Sequence, residues 1–353
     1  MCKSIRIMKY ITIDGAQGEG GGQVLRTALT LSMLTQQPIE LINIRANRQK
    51  PGLMRQHLTS VLAAQAICDA VVEGAELGSS HIRFQPKQVK AGQYQFAIGT
   101  AGSTVLVCQT IMPVLALANG LSTVTFEGGT HNGMSPSLCF FKESYLPILN
   151  AMGVQSDIEV SQLGFYPAGG GKWQIKINPT KQLKPFKIGK APDVDLLNTD
   201  NTKLTGFVSQ LPDSIAMREM NAAKKALNWP NADCQINHVQ SPGPGNSLQI
   251  KIQSQSHTHL FEVVGELGTS AENIAKRCAG RVKAFLESNS QVEHYLADQL
   301  LVLMALAGSG SFTTSKPSLH TLTNAQVIQQ ITKKEINIQQ ESEHVWRISL
   351  TST

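Results

Sequence analysis

Three times along the chain, apolar residues recur first at helical and then at strand spacing, in one order: a helix opened by small residues, a short apolar strand, a polar loop and a second helix. In the first copy the spacing predicts a helix over 23–34, the strand Ile39-Glu40-Leu41-Ile42-Asn43-Ile44, a loop from Arg45 to Gly52, and a second helix with Leu58, Val61 and Leu62 on one face. In the second, Gly102-Ser103-Thr104 opens a helix through Leu117, Ser122-Thr123-Val124-Thr125-Phe126 forms the strand, Gly128 to Pro136 the loop, and a helix follows to Met152. In the third, 295–307 is helical, 310–314 extended, 315–319 the loop ending at His320, and 323 onwards helical again. Equivalent loops of a pseudo-threefold arrangement open to one side, so residues distant in sequence can meet there.

A stretch of different character separates the second copy from the third, from about Lys187 to Glu287, after the Pro/Lys-rich run Asn178 to Pro192 and before Ser288-Asn289-Ser290. It holds a helix after Asp213, two strands joined by Ser241-Pro242-Gly243-Pro244-Gly245-Asn246, and a helix opened by the capping box Thr269-Ser270-Ala271-Glu272. The expected fold is α/β (α+β): a large domain of three βαβα-type repeats over 1–186 plus 288–353, and a smaller inserted α/β domain over 187–287. A chain of 353 residues exceeds the usual size of one core, in keeping with two units.

The most pointed local feature is Asp14-Gly15-Ala16-Gln17-Gly18-Glu19-Gly20-Gly21-Gly22-Gln23-Val24-Leu25-Arg26, with five glycines in eight residues leading into a helix. Glycines let backbone N–H groups approach a ligand, a helix N-terminus favours negative charge, and Arg26 adds a guanidinium, so the stretch reads as a phosphate-binding entrance. It fits neither the P-loop nor G-x-G-x-x-G, which disfavours the nucleotide folds those signatures mark. The formal net charge of +6 points the same way, towards an anionic partner such as nucleic acid. Six well-separated cysteines (Cys2, Cys68, Cys108, Cys139, Cys234, Cys278) read as reduced core residues. Met1 to Arg6 runs into a strand with no cleavage site, and no long apolar run occurs, so the expected location is the cytoplasm, with no membrane partner.

Five pieces in order carry a resemblance: Asp14 to Arg26, Ile44-Arg45-Ala46-Asn47-Arg48-Gln49-Lys50-Pro51-Gly52-Leu53-Met54-Arg55-Gln56-His57, Gly164-Phe165-Tyr166-Pro167-Ala168-Gly169-Gly170-Gly171, Tyr295-Leu296-Ala297-Asp298-Gln299, and Pro317-Ser318-Leu319-His320. Together they resemble the RNA 3′-terminal phosphate cyclase family, of the bacterial type, over essentially the whole chain. The resemblance implies ATP-dependent conversion of an RNA 3′-phosphate end to a 2′,3′-cyclic phosphate, through a histidine–AMP adduct and an RNA(3′)pp(5′)A intermediate. By the same carry-over, His320 is the nucleophile. Glu19 holds a divalent metal, magnesium or manganese, beside the ATP phosphates, and Gln109, Pro136, Tyr295, Asp298 and Gln299 complete the nucleotide pocket. A terminal phosphate dianion suits guanidinium clamps, so Gln23, Arg26, Arg45 and Arg48 are expected on the RNA 3′-phosphate, with Arg55 and Gln56 behind them. A homodimer is a further possibility.

Other histidines rank lower. His131, in the second loop, either touches substrate or caps the loop, and His257 with His259 alternates on a strand of the insert, with one or both facing solvent. Phe261-Glu262 is a further place for an adenine contact. Two other functions share the fold: an RNA-binding assembly factor that lacks the histidine, and an enolpyruvyl transferase of similar repeat topology, which needs no histidine–AMP adduct.

Overall fold

A computed structural model describes residues 9–185, 188–192, 201–254 and 256–351. Cys2, the segment Met1 to Arg6 and the Lys187 boundary lie outside the described residues.

The first repeat runs β1 (Ile11–Asp14), α1 (Gly22–Thr35), β2 (Ile39–Ile42), α2 (Arg55–Cys68), β3 (Val71–Glu73) and β4 (Ile82–Gln85). Its sheet has the order β1-β2-β4-β3, with β1 parallel to β2 and the other pairs antiparallel. The second repeat copies that order. β5 (Gln93–Ala97), α3 (Thr104–Ala116), β6 (Ser122–Gly128), α4 (Leu138–Phe140), a π-turn (Phe141–Tyr145), α5 (Leu146–Ala151), β7 (Ser156–Gln162) and β8 (Gly171–Ile177) build the sheet β5-β6-β8-β7. Its second helix was expected to be continuous, but Pro147 has no N–H to give to the preceding turn, and the wider π-turn lies just before it.

After the insert, α8 (His294–Ala307), β13 (Gly310–Thr314), α9 (Leu319–Thr332), β14 (Asn337–Gln340) and β15 (Trp346–Leu350) form the third repeat, with sheet order β13-β15-β14. The missing first strand survives as one parallel bridge from Val292 to Thr314, the counterpart of β1 against β2.

The insert comprises β9 (Thr202–Ser209), α6 (Asp213–Leu227), β10 (Asp233–His238), β11 (Gly245–Gln253), β12 (Thr258–Val264) and α7 (Ala271–Ser288). Its sheet order is β10-β9-β11-β12, so the strands on either side of 241–246 are not a hairpin: β9 lies between them, parallel to β10 and antiparallel to β11. The long Pro/Gly connection has to cross a strand, which a tight turn does not do. The cap of α7 is Ser270, whose hydroxyl accepts the Asn273 N–H, one residue later than the expected box.

The buried apolar residues form two clusters. One joins the three repeats through residues such as Leu29, Ile111, Trp173, Leu300 and Ile348 and takes in Leu260 and Val264 of β12, and the other lies within the insert around Leu248, Ile250, Ala275 and Val282. In the first core α1 packs against α2, α3 and α9, and two buried hydrogen bonds pin it there, Thr27 Oγ1 to Asn324 Oδ1 (2.7 Å) and Thr30 Oγ1 to the Thr110 carbonyl (2.7 Å). Val61 is buried and Leu58 partly so, whereas Leu62, one residue on, turns outwards and is exposed, because the core stripe of α2 follows Ser60, Ala63, Ala64 and Ile67. Cys68, Cys108 and Cys278 are buried, but Cys234 is exposed on the edge strand β10, against expectation. No helix among the described residues is long and apolar enough to cross a membrane.

The insert docks on the second repeat. Leu163 N–H donates to the Gln240 carbonyl (2.8 Å), Leu260 N–H to Ser144 Oγ (3.2 Å) and Lys251 Nζ to Glu143 Oε2 (2.9 Å). His131 Nε2 stands 3.3 Å from Glu262 Oε1, an ion pair almost out of solvent, with Ser137 Oγ and Gln249 Nε2 also donating to Glu262. Burial opposes the charge on both groups, but their mutual attraction outweighs it and holds His131 protonated and Glu262 ionised. His131 is therefore a docking residue, and Glu262 faces it rather than open solvent.

His257 and His259 are not solvent-facing. They are 3% and 0% exposed, their ring centroids lie 4.2 Å apart, and neither ring nitrogen of His259 has a hydrogen bond among the described residues. Burial, and for His259 also the neighbouring His257, pushes both below 6.5, His257 to about 4. The unfolded chain takes up these protons first, so the associated stability is full above pH 6.5 and is lost as pH falls through about 4. For His257 alone this amounts to about 3 kcal/mol. Denaturant unfolding between pH 7 and 4 should show this loss, and His257→Leu should flatten the slope; an unchanged slope would refute it.

Candidate active site

α1 starts at Gly21 without a side-chain cap and without an acidic residue in its first turn, so no side chain of its own caps its leading amides. The glycine-rich loop before it is folded against the third repeat. Gly18 has φ +56°, and a Cβ there would lie 2.1 Å from Thr323 Oγ1, so a side chain at this position would force loop and helix apart. At the same contact the Glu19 N–H donates to Thr323 Oγ1 (2.9 Å).

This contact brings the first turn of α9 beside the first turn of α1. The third loop was expected to run to His320; instead Ser318 caps α9 by accepting the Thr321 N–H, and His320 already stands in the helix. Its imidazole is half exposed. Gln23 Nε2 donates to Asp298 Oδ1 at 2.5 Å, which leaves Gln23 Oε1 facing His320 Nδ1 at 2.9 Å. An amide oxygen only accepts, so Nδ1 carries the proton and Nε2 keeps its lone pair. Glu19 Oε2, 3.7 Å from Nδ1, favours the same tautomer. Burial first, then the charges of Arg48 and Arg26, hold His320 below 6.5, so the ring is neutral at neutral pH.

Asp298 is fixed in turn by Asn324, whose Nδ2 donates to the Asp298 carbonyl (3.0 Å) and to Oδ1 (3.3 Å). Burial raises the Asp298 carboxyl to about 6, against the pull of Gln23, Asn324 and Arg26. Burial likewise lowers Arg26 to about 10, partly offset by Asp298.

The remaining expected residues divide into two groups. Gln109 Nε2 donates to Gln299 Oε1 (2.5 Å), and Gln299 Nε2 to the Tyr295 carbonyl (2.8 Å), which ties α3 to α8 beside Asp298. Tyr295 is about half exposed, with the Arg281 guanidinium of the insert 5.3 Å above its ring and His294 3.9 Å away. Pro136 lies partly buried in the second loop, next to the cap Ser137. On the other side Arg48 pairs with the Glu19 carboxylate and donates to the Glu19 carbonyl (3.2 Å). Arg45, at φ +55°, directs Nη1 into its own loop, onto the carbonyls of Lys50 (2.7 Å) and Gly52 (2.8 Å). Gln56 Oε1 accepts the Ser103 N–H at the start of α3 (2.9 Å), while Arg55 stays exposed. The first and third loops thus converge; the second turns its His131 and Ser137 to the insert. Thr323 and Asn324 escaped the sequence reading, although they lie three and four residues beyond His320 and so on its helical face.

A neutral histidine with a fixed tautomer, a nearly buried carboxylate, several guanidiniums and an uncapped helix N-terminus suit nucleophilic attack at a phosphorus centre. The sequence profile described as RNA 3′-terminal phosphate cyclase matches residues 17–338. The chain belongs to the RNA 3′-terminal phosphate cyclase family. Curated cyclases resemble it along nearly their full length: that of Koribacter versatilis is 43% identical over 346 residues, covering 98% of this chain and 96% of the relative. The cyclase of Salmonella agona is 42% identical, covering 96% of each, and that of Salmonella typhimurium 43%, covering 91% and 93%. The α/β repeats and small sheets agree with this family, whose cosubstrate is ATP.

His320 should titrate below 6.5 in an NMR experiment on its ring protons, and Arg48→Ala should move the midpoint upwards. A native midpoint at or above 6.5 would contradict the electrostatics described.

Proposed function

We propose that this chain performs the ATP-dependent conversion of an RNA 3′-terminal phosphate to a 2′,3′-cyclic phosphate with His320 as its nucleophile. The observation that carries the assignment is the Asp298–Gln23–His320 chain, which leaves the Nε2 lone pair free while anchoring Nδ1–H. A phosphate monoester has no good leaving group on its own, so it must first be activated.

His320 Nε2 attacks the α-phosphorus of ATP; an N–P bond forms, the bond to the bridging oxygen breaks, and pyrophosphate leaves. Gln23 holds the ring in place throughout and keeps the Nδ1 proton from being lost to solvent. An oxygen of the RNA 3′-phosphate then attacks the same phosphorus, the N–P bond breaks, and RNA(3′)pp(5′)A forms with the imidazole restored. The ribose 2′-OH attacks the RNA phosphorus, loses its proton, and closes the ring as AMP departs. Arg26 and Arg48 supply positive charge for the anionic oxygens, Tyr295 offers a stacking face for adenine, and Gln109, Asp298 and Gln299 line the nucleotide side.

Glu19 fits a divalent ion such as magnesium or manganese. Its Oε2 is buried without a hydrogen-bond partner, and a carboxylate oxygen is the hard ligand such ions take. No cluster of three His, Cys, Asp or Glu residues occurs among the described residues, so phosphate oxygens and water would supply most of the shell. The bound ion would neutralise phosphate charge. Neither the assembly-factor nor the transferase reading is favoured: His320 is present, and the family match lies with the cyclases.

With labelled ATP and metal, the purified protein should form an acid-labile adduct on His320 that is absent from His320→Ala; an adduct mapped to another side chain would overturn the assignment. Gln23→Leu, which cuts the orienting chain, should slow adduct formation at least about tenfold. If Gln23→Leu instead adenylates normally and fails only with RNA, Gln23 belongs to the RNA site alone.

A further inference from the structure

His57 lies outside every role assigned so far. It is the third residue of α2, and its Nδ1 accepts the Met54 N–H at 3.2 Å, closing the cap of that helix. In the neutral ring the remaining proton is therefore on Nε2. The side chain is only 5% exposed, and that Nε2–H makes no hydrogen bond to the described residues. It points at the beginning of α1: a Cβ built on Gly22 would lie 2.4 Å from His57 Nε2 and 2.8 Å from Arg26 Nη1. Two donors from two helices thus converge on the first residue of an uncapped helix, whose own leading amides are donors as well. None of these groups accepts a hydrogen bond, so nothing among them satisfies another.

We propose that His57 Nε2–H is a direct hydrogen-bond donor to the terminal phosphate of the RNA, held beside Arg26 at the start of α1. This rests on the cyclase reading given above. A phosphate dianion offers several acceptor oxygens at one centre, which matches convergent donors better than a carboxylate or a base edge does. His57, Arg26 and the loop carrying Arg45 all belong to the first repeat, whereas Gln109, Tyr295, Asp298 and Gln299 come from the second and third. That division assigns the His57 wall to the RNA end rather than to ATP. Burial, then the charges of Arg26 and Arg45, hold the His57 ring at about 3, so it remains a neutral donor of fixed tautomer throughout the working range. Gly22 is part of the device, since any side chain there would occupy the space between the two donors.

The test uses the full-length protein with His57→Ala and His57→Glu. Glutamate at the third helical position can reach back to the Met54 N–H as in a capping box, so this variant keeps the cap while removing the donor and adding a negative charge. The measurements are His320 adduct formation with ATP, the affinities for a short RNA ending in 3′-phosphate and for the same RNA ending in 3′-OH, and the steady-state kinetics of cyclisation. Loss of one hydrogen bond to a charged group should weaken 3′-phosphate binding about ten- to a hundredfold in His57→Ala, and further in His57→Glu, with binding of the 3′-OH RNA little changed. KM for cyclisation should rise more than kcat falls. Retention of the 3′-phosphate preference in His57→Glu would overturn the proposal, as would adduct formation that declines in step with cyclisation, which would move the donor to the ATP phosphates. Absence of an adduct on His320 in the native protein would instead overturn the nucleophile assignment and leave the phosphate-affinity comparison valid.

Discussion

The hydrogen bond between Gln23 and His320 joins the first helix of the first repeat to the last long helix of the third, and the proposed chemistry depends on it because it selects which ring nitrogen is free. That bond is only as reliable as the packing beneath it. Gln23 reaches Asp298 on α8 and His320 on α9 because α1 is pinned against α9 by Thr27 and Asn324 and against α3 by Thr30 and the Thr110 carbonyl. Asn324 serves both layers, accepting from Thr27 through its oxygen and donating to Asp298 through its nitrogen. A core polar contact and an active-site contact therefore share one side chain. A loss of packing between the repeats would release the tautomer before it unfolded the chain.

The insert is held by a different interaction. His131 and Glu262 form an ion pair almost out of solvent, ringed by Ser137 and Gln249, at the join between the second loop and β12. Buried pairs of this kind contribute little net stability compared with apolar contacts, but breaking one partner is costly, so they fix register more than they add strength. Register matters here because the same insert carries Arg281, which donates to the Glu262 carbonyl (2.8 Å) and lies over Tyr295. A displaced Glu262 would shift Arg281 and with it one wall of the nucleotide side.

The repeat plan was legible because each copy keeps its own periodicity, and 310–314 was read to the residue, directly after the left-handed Gly308 that ends α8. The insert was less so. Its 241–246 connection has turn residues at both ends, and local composition does not reveal that β9, some 35 residues upstream, will claim the space between the strands it joins. His257 and His259 were misjudged for a related reason: alternation predicts that one side of a strand faces water, but His257 precedes β12, and Phe285 of α7 covers His259. In the site, His320, Glu19 and the helix residues 295, 298 and 299 came from ordered motifs. The Gln23 relay did not, because it depends on a contact between residues 297 positions apart. Arg45 shows the opposite limit: its residue type suggested a phosphate clamp, and its left-handed backbone turns part of the guanidinium back onto its own loop.

In the proposed reaction the site handles three phosphate-bearing species and so needs positive charge, yet the proposed nucleophile must be an uncharged imidazole. Both needs are met by the same arginines. Arg26 and Arg48, the proposed phosphate ligands, lie close enough to His320 to make its protonated form unfavourable. Arg26 and Arg45 do the same to His57. Glu19 limits the effect by pairing with Arg48, so that the cation is positioned without leaving an unbalanced charge against the loop. On this proposal, removing Arg26 or Arg48 would do more than weaken phosphate binding: it would raise the proton affinity of the proposed nucleophile, His320.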